Sequence, residues 1–249
     1  MSRIRKALDK AKEIRKGLAE DIIMDEETSS PLADSLVKKQ EKRFQKADPS
    51  YVQTKIKHID IQNLEKNRII TTCHGSVVAD QLKIIRTQIF SQLKQAGGNS
   101  LLIASANPGE GRTITAINLA IAISQQIDGT VLLVDTDLRK PSIHTLFGFD
   151  IEKGLSDYLR GKAEIPELMV NPGIPRLVIL PGGRPLPNSS ELLGTPRMQF
   201  LVKEIKERYS DRFIVFDSSP LLTSADPLVL SRYIDGILMV VEAEKTNKE

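Results

Sequence analysis

This sequence of 249 residues is poor in three features, and each shortage narrows the class of protein. A single cysteine excludes an internal disulfide framework and fits a reducing compartment. The longest apolar runs, such as Val131–Val134 and Ile237–Val241, are far shorter than the roughly 18–20 residues that span a bilayer, and no apolar signal-peptide core follows the basic start. The net charge of +3 is too small to indicate a specific nucleic-acid partner. We therefore expect a soluble intracellular protein.

The composition changes along the chain and predicts two parts. Residues 1–70 are predicted to form a basic N-terminal helix and a flexible linker, and residues 71–249 a folded domain. Seven basic and two acidic residues lie within the first eighteen, where apolar residues recur at helical spacing. This amphipathic helix is predicted either to face solvent or a partner protein, or to lie on an anionic membrane surface. Its apolar residues are Ile4, Leu8, Ala11, Ile14 and Leu18.

Buried strands alternate with helices in the second part of the chain. Such alternation is typical of an α/β fold in three α/β/α layers, with a mostly parallel sheet covered on both faces. Ligands of these sheets bind beyond the carboxyl ends of the strands. The predicted strands are Leu101–Ser105, Val131–Asp135, Leu177–Leu180, Phe213–Asp217 and Ile237–Glu242. The first predicted helix starts at about residue 77 and is ended by Gly97-Gly98-Asn99, with an apolar stripe of Val78, Leu82, Ile85, Ile89 and Leu93. The other predicted helices cover about residues 113–125, 151–160, 190–208 and 225–233.

A glycine-rich turn follows the first strand and opens a helix. It has the spacing of the phosphate-binding loop G-x-x-x-x-G-K-[ST], with alanine at the first glycine and arginine at the lysine. The two remaining glycines allow backbone amides to approach phosphate oxygens, and the helix N-terminus adds partial positive charge. A plain strand–turn–helix corner is the alternative interpretation. The turn reads Ala106-Asn107-Pro108-Gly109-Glu110-Gly111-Arg112-Thr113.

Three carboxylates stand at the ends of two other predicted strands. Asp135 ends one strand and is followed by Asp137, while Asp217 ends another. A single aspartate in such a place can simply cap the next helix, but three beside a phosphate loop favour a Mg²⁺–nucleotide site. A hard cation needs oxygen ligands, and a phosphoryl acceptor needs a base.

These motifs together resemble the bacterial tyrosine kinases, which are cytoplasmic ATPases that regulate polysaccharide polymerisation and export. The start, Met1–Leu8, is similar to the exosortase-associated autokinase branch. The resemblance covers about residues 76–245 and implies a three-layer P-loop NTPase fold preceded by a helical or disordered extension. The matching stretches are Pro108-Gly109-Glu110-Gly111, Asp135-x-Asp137-Leu138-Arg139-x-Pro141, Asp217-x-x-Pro220, and Pro181-Gly182-Gly183 with Pro187-Asn188 and Glu191-Leu192-Leu193.

The resemblance also implies a role for each motif residue. Asp135 is the candidate base that takes the proton from the acceptor tyrosine, and Arg112 and Asp137 complete the catalytic set. Thr113, Asp137 and Asp217 are the implied Mg²⁺ ligands. The residues implied to hold ATP are Pro108, Gly109, Glu110, Gly111, Arg112, Thr113 and Ile114.

Partners and location follow from the same resemblance. Asp80, Lys83 and Arg86 lie three residues apart on one broad polar helix face and resemble an element through which family subunits form a ring. A solvated helix face is the alternative. The resemblance further implies a membrane-embedded polysaccharide co-polymerase as activator and a location in the cytoplasm, peripheral at the inner face of the plasma membrane.

The sequence departs from the family pattern in two places. Arg112 replaces a compact lysine ammonium by a larger planar group, so phosphate binding is expected to survive better than alignment for transfer. The family usually continues beyond the last predicted strand with a helix, another strand and a tyrosine-rich tail, so either the C-terminus is truncated, which we favour, or the acceptor tyrosine lies elsewhere. Two alternatives to a protein-tyrosine autokinase stay open: a partitioning or septum-positioning ATPase, and a catalytically weak nucleotide-binding regulator.

Overall fold

The computed structural model describes residues 55–57, 59, 61–69, 76–126, 129–207 and 211–246. All of them belong to one unit, Ala47–Glu249. The predicted basic helix of residues 1–18 and most of the predicted linker lie outside the described residues. Within the described ranges, no helix has both the length and the hydropathy that crossing a membrane requires.

Among the described residues, seven strands form one sheet, in the order β1-β4-β5-β3-β6-β2-β7. Neighbouring strands run parallel, except that β4 and β5 are antiparallel. The predicted, mostly parallel sheet is therefore confirmed, and only two strands of two residues each escaped the sequence pattern. The strands are β1 Lys55–Ile56, β2 Ser100–Ser105, β3 Thr130–Asp135, β4 Val170–Asn171, β5 Leu177–Leu180, β6 Arg212–Asp217 and β7 Gly236–Val240.

Nine helices connect and cover these strands in the described ranges. The single helix predicted over residues 190–208 is wrong, because the structure has two helices there. Thr195 separates them: its hydroxyl accepts a hydrogen bond from the backbone amide of Met198, and Pro196 at the next position has no amide to donate. The helices are α1 Ile61–Lys66, α2 Val77–Gln95, α3 Arg112–Ser124, α4 Ile143–Phe147, α5 Leu155–Leu159, α6 Ile165–Leu168, α7 Ser189–Leu193, α8 Pro196–Glu207 and α9 Asp226–Ser231.

The sheet separates two hydrophobic layers, as a three-layer fold requires. Strand residues alternate between them: Leu101 and Ile103 pack in the layer that holds α2 and α3, whereas Leu102 packs in the layer that holds α8. Both layers are built from fully or nearly fully buried side chains. The central strands are thus covered on both faces, which explains their continuous apolar sequences.

Two expectations about burial are wrong. Val78 is the first residue of the predicted apolar stripe of α2, which should face the core, but it is 49% exposed and its neighbour Ala79 is buried instead. The last strand was expected to be buried, but β7 is an edge strand in which Ile237 and Met239 are 55% and 46% exposed. An apolar run shows that a strand forms, but it does not show whether the strand has neighbours on both sides.

The packed region takes in residues that the sequence assigns to the linker. Strand β1 pairs with β4 at the edge of the sheet. Leu64 and Ile69 are buried in the layer that holds α3. The folded part therefore reaches at least to Lys55 on its N-terminal side.

Candidate active site

Three neighbouring strands end in the polar residues of the site. Ser105 ends β2, Asp135 ends β3 and Asp217 ends β6, and these strands are adjacent in the sheet. Asp135 and Asp217 are direct register partners. Because parallel strands all end at the same edge, the sheet brings together residues that are far apart in the sequence.

The phosphate loop connects β2 to α3 through two glycines in the left-handed region. Gly109 has φ 87° and Gly111 has φ 86°, and a Cβ at either position would meet no atom within 4 Å. The requirement for glycine is therefore conformational in the ligand-free chain. Gly111 is the N-cap of α3 and has no side chain to cap the first helical amides. The loop thus offers backbone donors at a helix N-terminus, where anions bind.

Arg112, the first residue of α3, turns back into the sheet edge and is only 8% exposed. Its Nε donates to Asp217 Oδ1 at 3.0 Å, and a terminal nitrogen donates to Asp137 Oδ2 at 2.9 Å. The other terminal nitrogen reaches Ser105 Oγ at 3.4 Å. A cation at a helix N-terminus is opposed by the helix dipole, so these two carboxylates are needed to hold it there.

Asp135 is completely buried and has one oxygen in use. Its Oδ2 accepts hydrogen bonds from the backbone amides of Ser142 at 3.0 Å and Ile143 at 3.1 Å, where α4 begins. Its Oδ1 is buried without a hydrogen-bond partner. Burial raises the pKa of Asp135 well above its ordinary value, and the neighbouring Asp217 raises it further. A carboxylate with a raised pKa is a better proton acceptor, as a general base must be.

Asp217 and Asp137 share the cation of Arg112 but differ in burial. Burial raises the pKa of Asp217 to about 6, although Arg112 and the nearby hydroxyl of Thr113 act in the opposite direction. Burial also raises the pKa of Asp137, and Arg112 opposes that shift. Asp137 Oδ1 accepts the backbone amide of Lys140 at 3.1 Å, whereas Asp217 Oδ2 is buried without a partner.

The unpartnered oxygen of Asp217 fits the chemistry of Mg²⁺. Buried polar atoms normally have a partner, and hard cations take oxygen ligands, so the free Oδ2 of Asp217 at the end of β6 suits such an ion. Among the described residues, no group of three or more His, Cys, Asp or Glu side chains forms a metal cage. Mg²⁺ typically takes one or two carboxylates and completes its shell with water and phosphate oxygens. The residues present therefore fit a magnesium ion that arrives with a nucleotide.

Comparison with known proteins identifies the family. No family model matches the sequence. The tyrosine-protein kinase YwqD of Bacillus subtilis (strain 168) is 36% identical over 186 residues, which are 75% of this chain and 77% of that protein. This chain belongs to the bacterial tyrosine-protein kinases. The tyrosine-protein kinase wzc of Salmonella typhimurium is 34% identical over 171 residues, which are 68% of this chain and 23% of that protein.

Solved structures agree with this assignment. The kinase domain of the Escherichia coli tyrosine kinase ETK has a TM-score of 0.67 and 29% identity, and the match covers 72% of this chain and 69% of that one. The predicted family and fold are thus confirmed, and nucleotide binding follows from membership of a kinase family.

The remaining loop residues of the kinase are held by contacts that the sequence did not indicate. Glu110 Oε1 accepts the hydroxyl of Thr246 at 2.7 Å, and Oε2 accepts the backbone amide of Asn107 at 3.0 Å. The Thr246 contact is the largest cause of the lowered pKa of Glu110. Pro108 and Gly109 are exposed at the tip of the loop, and Ile114 is half-buried in the first turn of α3. Thr246 is 136 residues from its partner, so no local pattern could reveal the contact.

A fourth buried carboxylate was also missed. Asp226 begins α9, is fully buried, accepts a hydrogen bond from the hydroxyl of Ser190 and contributes to the raised pKa of Asp137. Its sequence context, Asp226-Pro227 after a turn, predicts a helix start and does not suggest a place near the site.

The three α2 residues that resemble the ring-forming element do not share one exposed face in the kinase. Asp80 and Lys83 are exposed and form an ion pair at 2.8 Å. Arg86 is half-buried, and one of its terminal nitrogens donates to the carbonyl of Ala122 at 2.8 Å, near the C-terminus of α3. Burial lowers the pKa of Arg86. The expectation of one polar face is wrong for this residue, because Arg86 is engaged inside its own chain.

Proposed function

We propose that this kinase domain binds Mg²⁺–ATP at the carboxyl edge of its sheet and transfers the γ-phosphoryl group to a protein tyrosine, with Asp135 as the base. The observation that supports this most is the cluster in which Arg112 joins Asp137 and Asp217 beside the fully buried Asp135. Tyrosine phosphorylation is the activity of the family. The roles of the individual residues are our proposal.

Each residue has a chemical task in this proposal. The backbone amides of residues 109–113 and the guanidinium of Arg112 bind the phosphates, with the N-terminus of α3 behind them. Thr113, Asp137 and Asp217 hold Mg²⁺, which supplies charge neutralisation on the phosphate oxygens when it is bound.

Asp135 then acts on the acceptor. Its free Oδ1 takes the proton of the tyrosine hydroxyl while the tyrosine oxygen forms a bond to the γ-phosphorus, and the bond to ADP breaks. We place the acceptor on another subunit or another protein. Tyr158 is 5% exposed, with Arg197 4.3 Å above its ring, and Tyr233 is half-buried. Tyr51 and Tyr209 lie outside the described residues.

The test is phosphate transfer from γ-labelled ATP to a tyrosine-containing acceptor, mapped by mass spectrometry. The wild-type chain is expected to produce phosphotyrosine only when Mg²⁺ is present. Asp135→Asn should abolish transfer and keep nucleotide binding, whereas Asp150→Asn, at an exposed site, should change neither. Phosphotyrosine formation by Asp135→Asn at the wild-type rate contradicts the proposed base.

One observation favours a second candidate, the catalytically weak nucleotide-binding regulator. Arg112 is bound to carboxylates and its planar group differs from the usual lysine, so it can bind phosphates without aligning them well for transfer. This candidate predicts nucleotide binding by calorimetry without turnover, and turnover restored by Arg112→Lys. Turnover by the wild type that falls in Arg112→Lys excludes it.

We also propose that the kinase forms a ring-like homo-oligomer and acts with a membrane-embedded polysaccharide co-polymerase at the cytoplasmic face of the plasma membrane, regulating exopolysaccharide synthesis and export. The resemblance in sequence motifs supports this proposal. Asp80 and Lys83 remain exposed on α2 for a subunit contact, whereas Arg86 does not. Sedimentation of Lys83→Glu should show a smaller assembly than the wild type. In cells that lack the protein, export should be restored by the wild type and not by Asp135→Asn.

A further inference from the structure

Arg112 lies where a divalent cation would compete with it. It donates to Asp137 Oδ2 at 2.9 Å and to Asp217 Oδ1 at 3.0 Å, and these two residues are the proposed metal ligands. All three side chains are at most 9% exposed, so water screens their charges weakly. The guanidinium is therefore the cation that these carboxylates hold in this structure.

A metal ion and this arginine cannot bind the two carboxylates in the same way at once. Mg²⁺ contacts its oxygen ligands at about 2.1 Å, so a guanidinium still bound to the same carboxylates would place two cations almost in contact. Both oxygens of Asp137 are in use, so a divalent metal that binds the two carboxylates without nucleotide must first break the Arg112–Asp137 ion pair, and it then lies close to the cation that Asp217 holds. It would also leave Arg112 with one counter-charge fewer at the N-terminus of α3, which repels cations.

A nucleotide removes this obstacle because its phosphates offer Arg112 new partners beside the same helix end. We infer that Arg112 is the resident counter-cation of Asp137 and Asp217, and that its transfer to the nucleotide phosphates is the step that opens these carboxylates to Mg²⁺. The inference rests on the proposed metal and phosphate sites. Arginine at position 112 makes metal binding depend on nucleotide more strongly than lysine would, because the planar fork of arginine can hold two carboxylates together.

The experiment measures Mn²⁺ binding by electron paramagnetic resonance, with and without ADP, so that it needs no catalytic activity. Without nucleotide, Arg112→Met should bind Mn²⁺ about 10-fold more tightly than the wild type, since no cation has to be displaced. Arg112→Lys should lie between them, about 3-fold tighter than the wild type. With ADP the advantage of both variants should disappear, because Arg112 has then left the carboxylates.

A matched control is Lys140→Met, which removes an exposed positive charge three residues from Asp137 and keeps the backbone amide that Asp137 accepts. Its Mn²⁺ affinity should stay within about 2-fold of the wild type. If Arg112→Met does not fold, as judged by circular dichroism, Arg112→Lys decides. This inference alone is overturned if the folded Arg112 variants, without nucleotide, bind Mn²⁺ no more tightly than the wild type, while the wild type still binds Mn²⁺ in the presence of ADP. Failure of the wild type to retain Mn²⁺ even with ADP overturns the proposed metal site as well.

Discussion

The two ends of helix α3 each contact an arginine, but the electrostatics are opposite. At the N-terminus, Arg112 places a cation where the helix dipole is positive, and two buried carboxylates are needed to hold it. At the C-terminus, Arg86 from α2 donates to the carbonyl of Ala122, where the dipole favours a cation. The C-terminal contact stabilises the fold. The N-terminal cluster brings the carboxylates of Asp135, Asp137 and Asp217 close together, and such a concentration of negative charge is expected of a ligand-binding site.

The largest expected effect comes from Asp135→Asn at the N-terminal end. Phosphoryl transfer should fall at least about 1000-fold, because the proposed base is lost. The free energy of unfolding should stay equal or rise, since a buried carboxyl with a raised pKa is replaced by a neutral amide that still accepts the amides of Ser142 and Ile143. Initial rates and urea denaturation measure the two effects. A clear loss of stability would show that this end of the helix is structural too.

The second largest effect is a pH dependence of stability in the ligand-free protein. The pKa of Asp217 is about 6 against an ordinary 3.8, so the folded state keeps this proton to a higher pH than the unfolded chain does. The contribution of Asp217 to the free energy of unfolding should therefore decrease as pH rises from about 4 to about 6, by up to about 3 kcal/mol. Urea denaturation across this range, compared with Asp217→Asn, measures the contribution of Asp217 together with its effect on the pKa of Asp135. A contribution that increases with pH in this window contradicts the assignment.

A smaller effect is expected from Arg86→Met at the C-terminal end. Losing the hydrogen bond to the Ala122 carbonyl should reduce the free energy of unfolding by about 1–2 kcal/mol, because the carbonyl and the dipole lose their cation. Transfer per folded molecule should change less than about 2-fold. Lys94→Met is the control, because Lys94 is exposed on α2, the helix that also carries Arg86. This change should lower the free energy of unfolding by less than about 0.5 kcal/mol. A large kinetic effect of Arg86→Met without loss of stability would remove the contrast between the two ends.

The smallest effect concerns the exposed ion pair of α2. Asp80→Asn should change the free energy of unfolding by no more than about 0.5 kcal/mol, because water screens a pair whose side chains are half exposed or more. Thermal denaturation at low and high salt measures it. If Asp80→Asn lowers the free energy of unfolding as much as Arg86→Met does, the exposed Asp80–Lys83 pair and the half-buried Arg86 contact contribute equally, and exposure does not explain their difference.

Much of the fold could be predicted because burial leaves a direct trace in sequence. The central strands, such as Val131–Asp135, appear as continuous apolar runs, and glycine spacing locates the loop at Gly109 and Gly111. The two-residue strands β1 and β4 were missed because so few residues carry no periodicity. The exposure of β7 was missed because pairing on one side only leaves the apolar run unchanged.

The candidate site was predictable as a set of residues but not as a set of contacts. Asp135, Asp137 and Asp217 could be found because each stands at or just after the end of a predicted strand. That Arg112 binds two of them could not be found, because its partners are 25 and 105 residues away in the chain. Pairing over such distances is fixed by strand order, which a single sequence does not show.

A Cβ at Gly109 or Gly111 would have no atom within 4 Å, so the loop requires glycine there for its positive φ and not for its small size. A mirror-image alanine, introduced by chemical ligation, has the backbone preference that both positions require. Ordinary L-alanine in the same places must adopt an unfavourable conformation. Stereochemistry can therefore separate two demands that glycine satisfies together: the backbone conformation of the loop, and the closeness with which an anion can approach it.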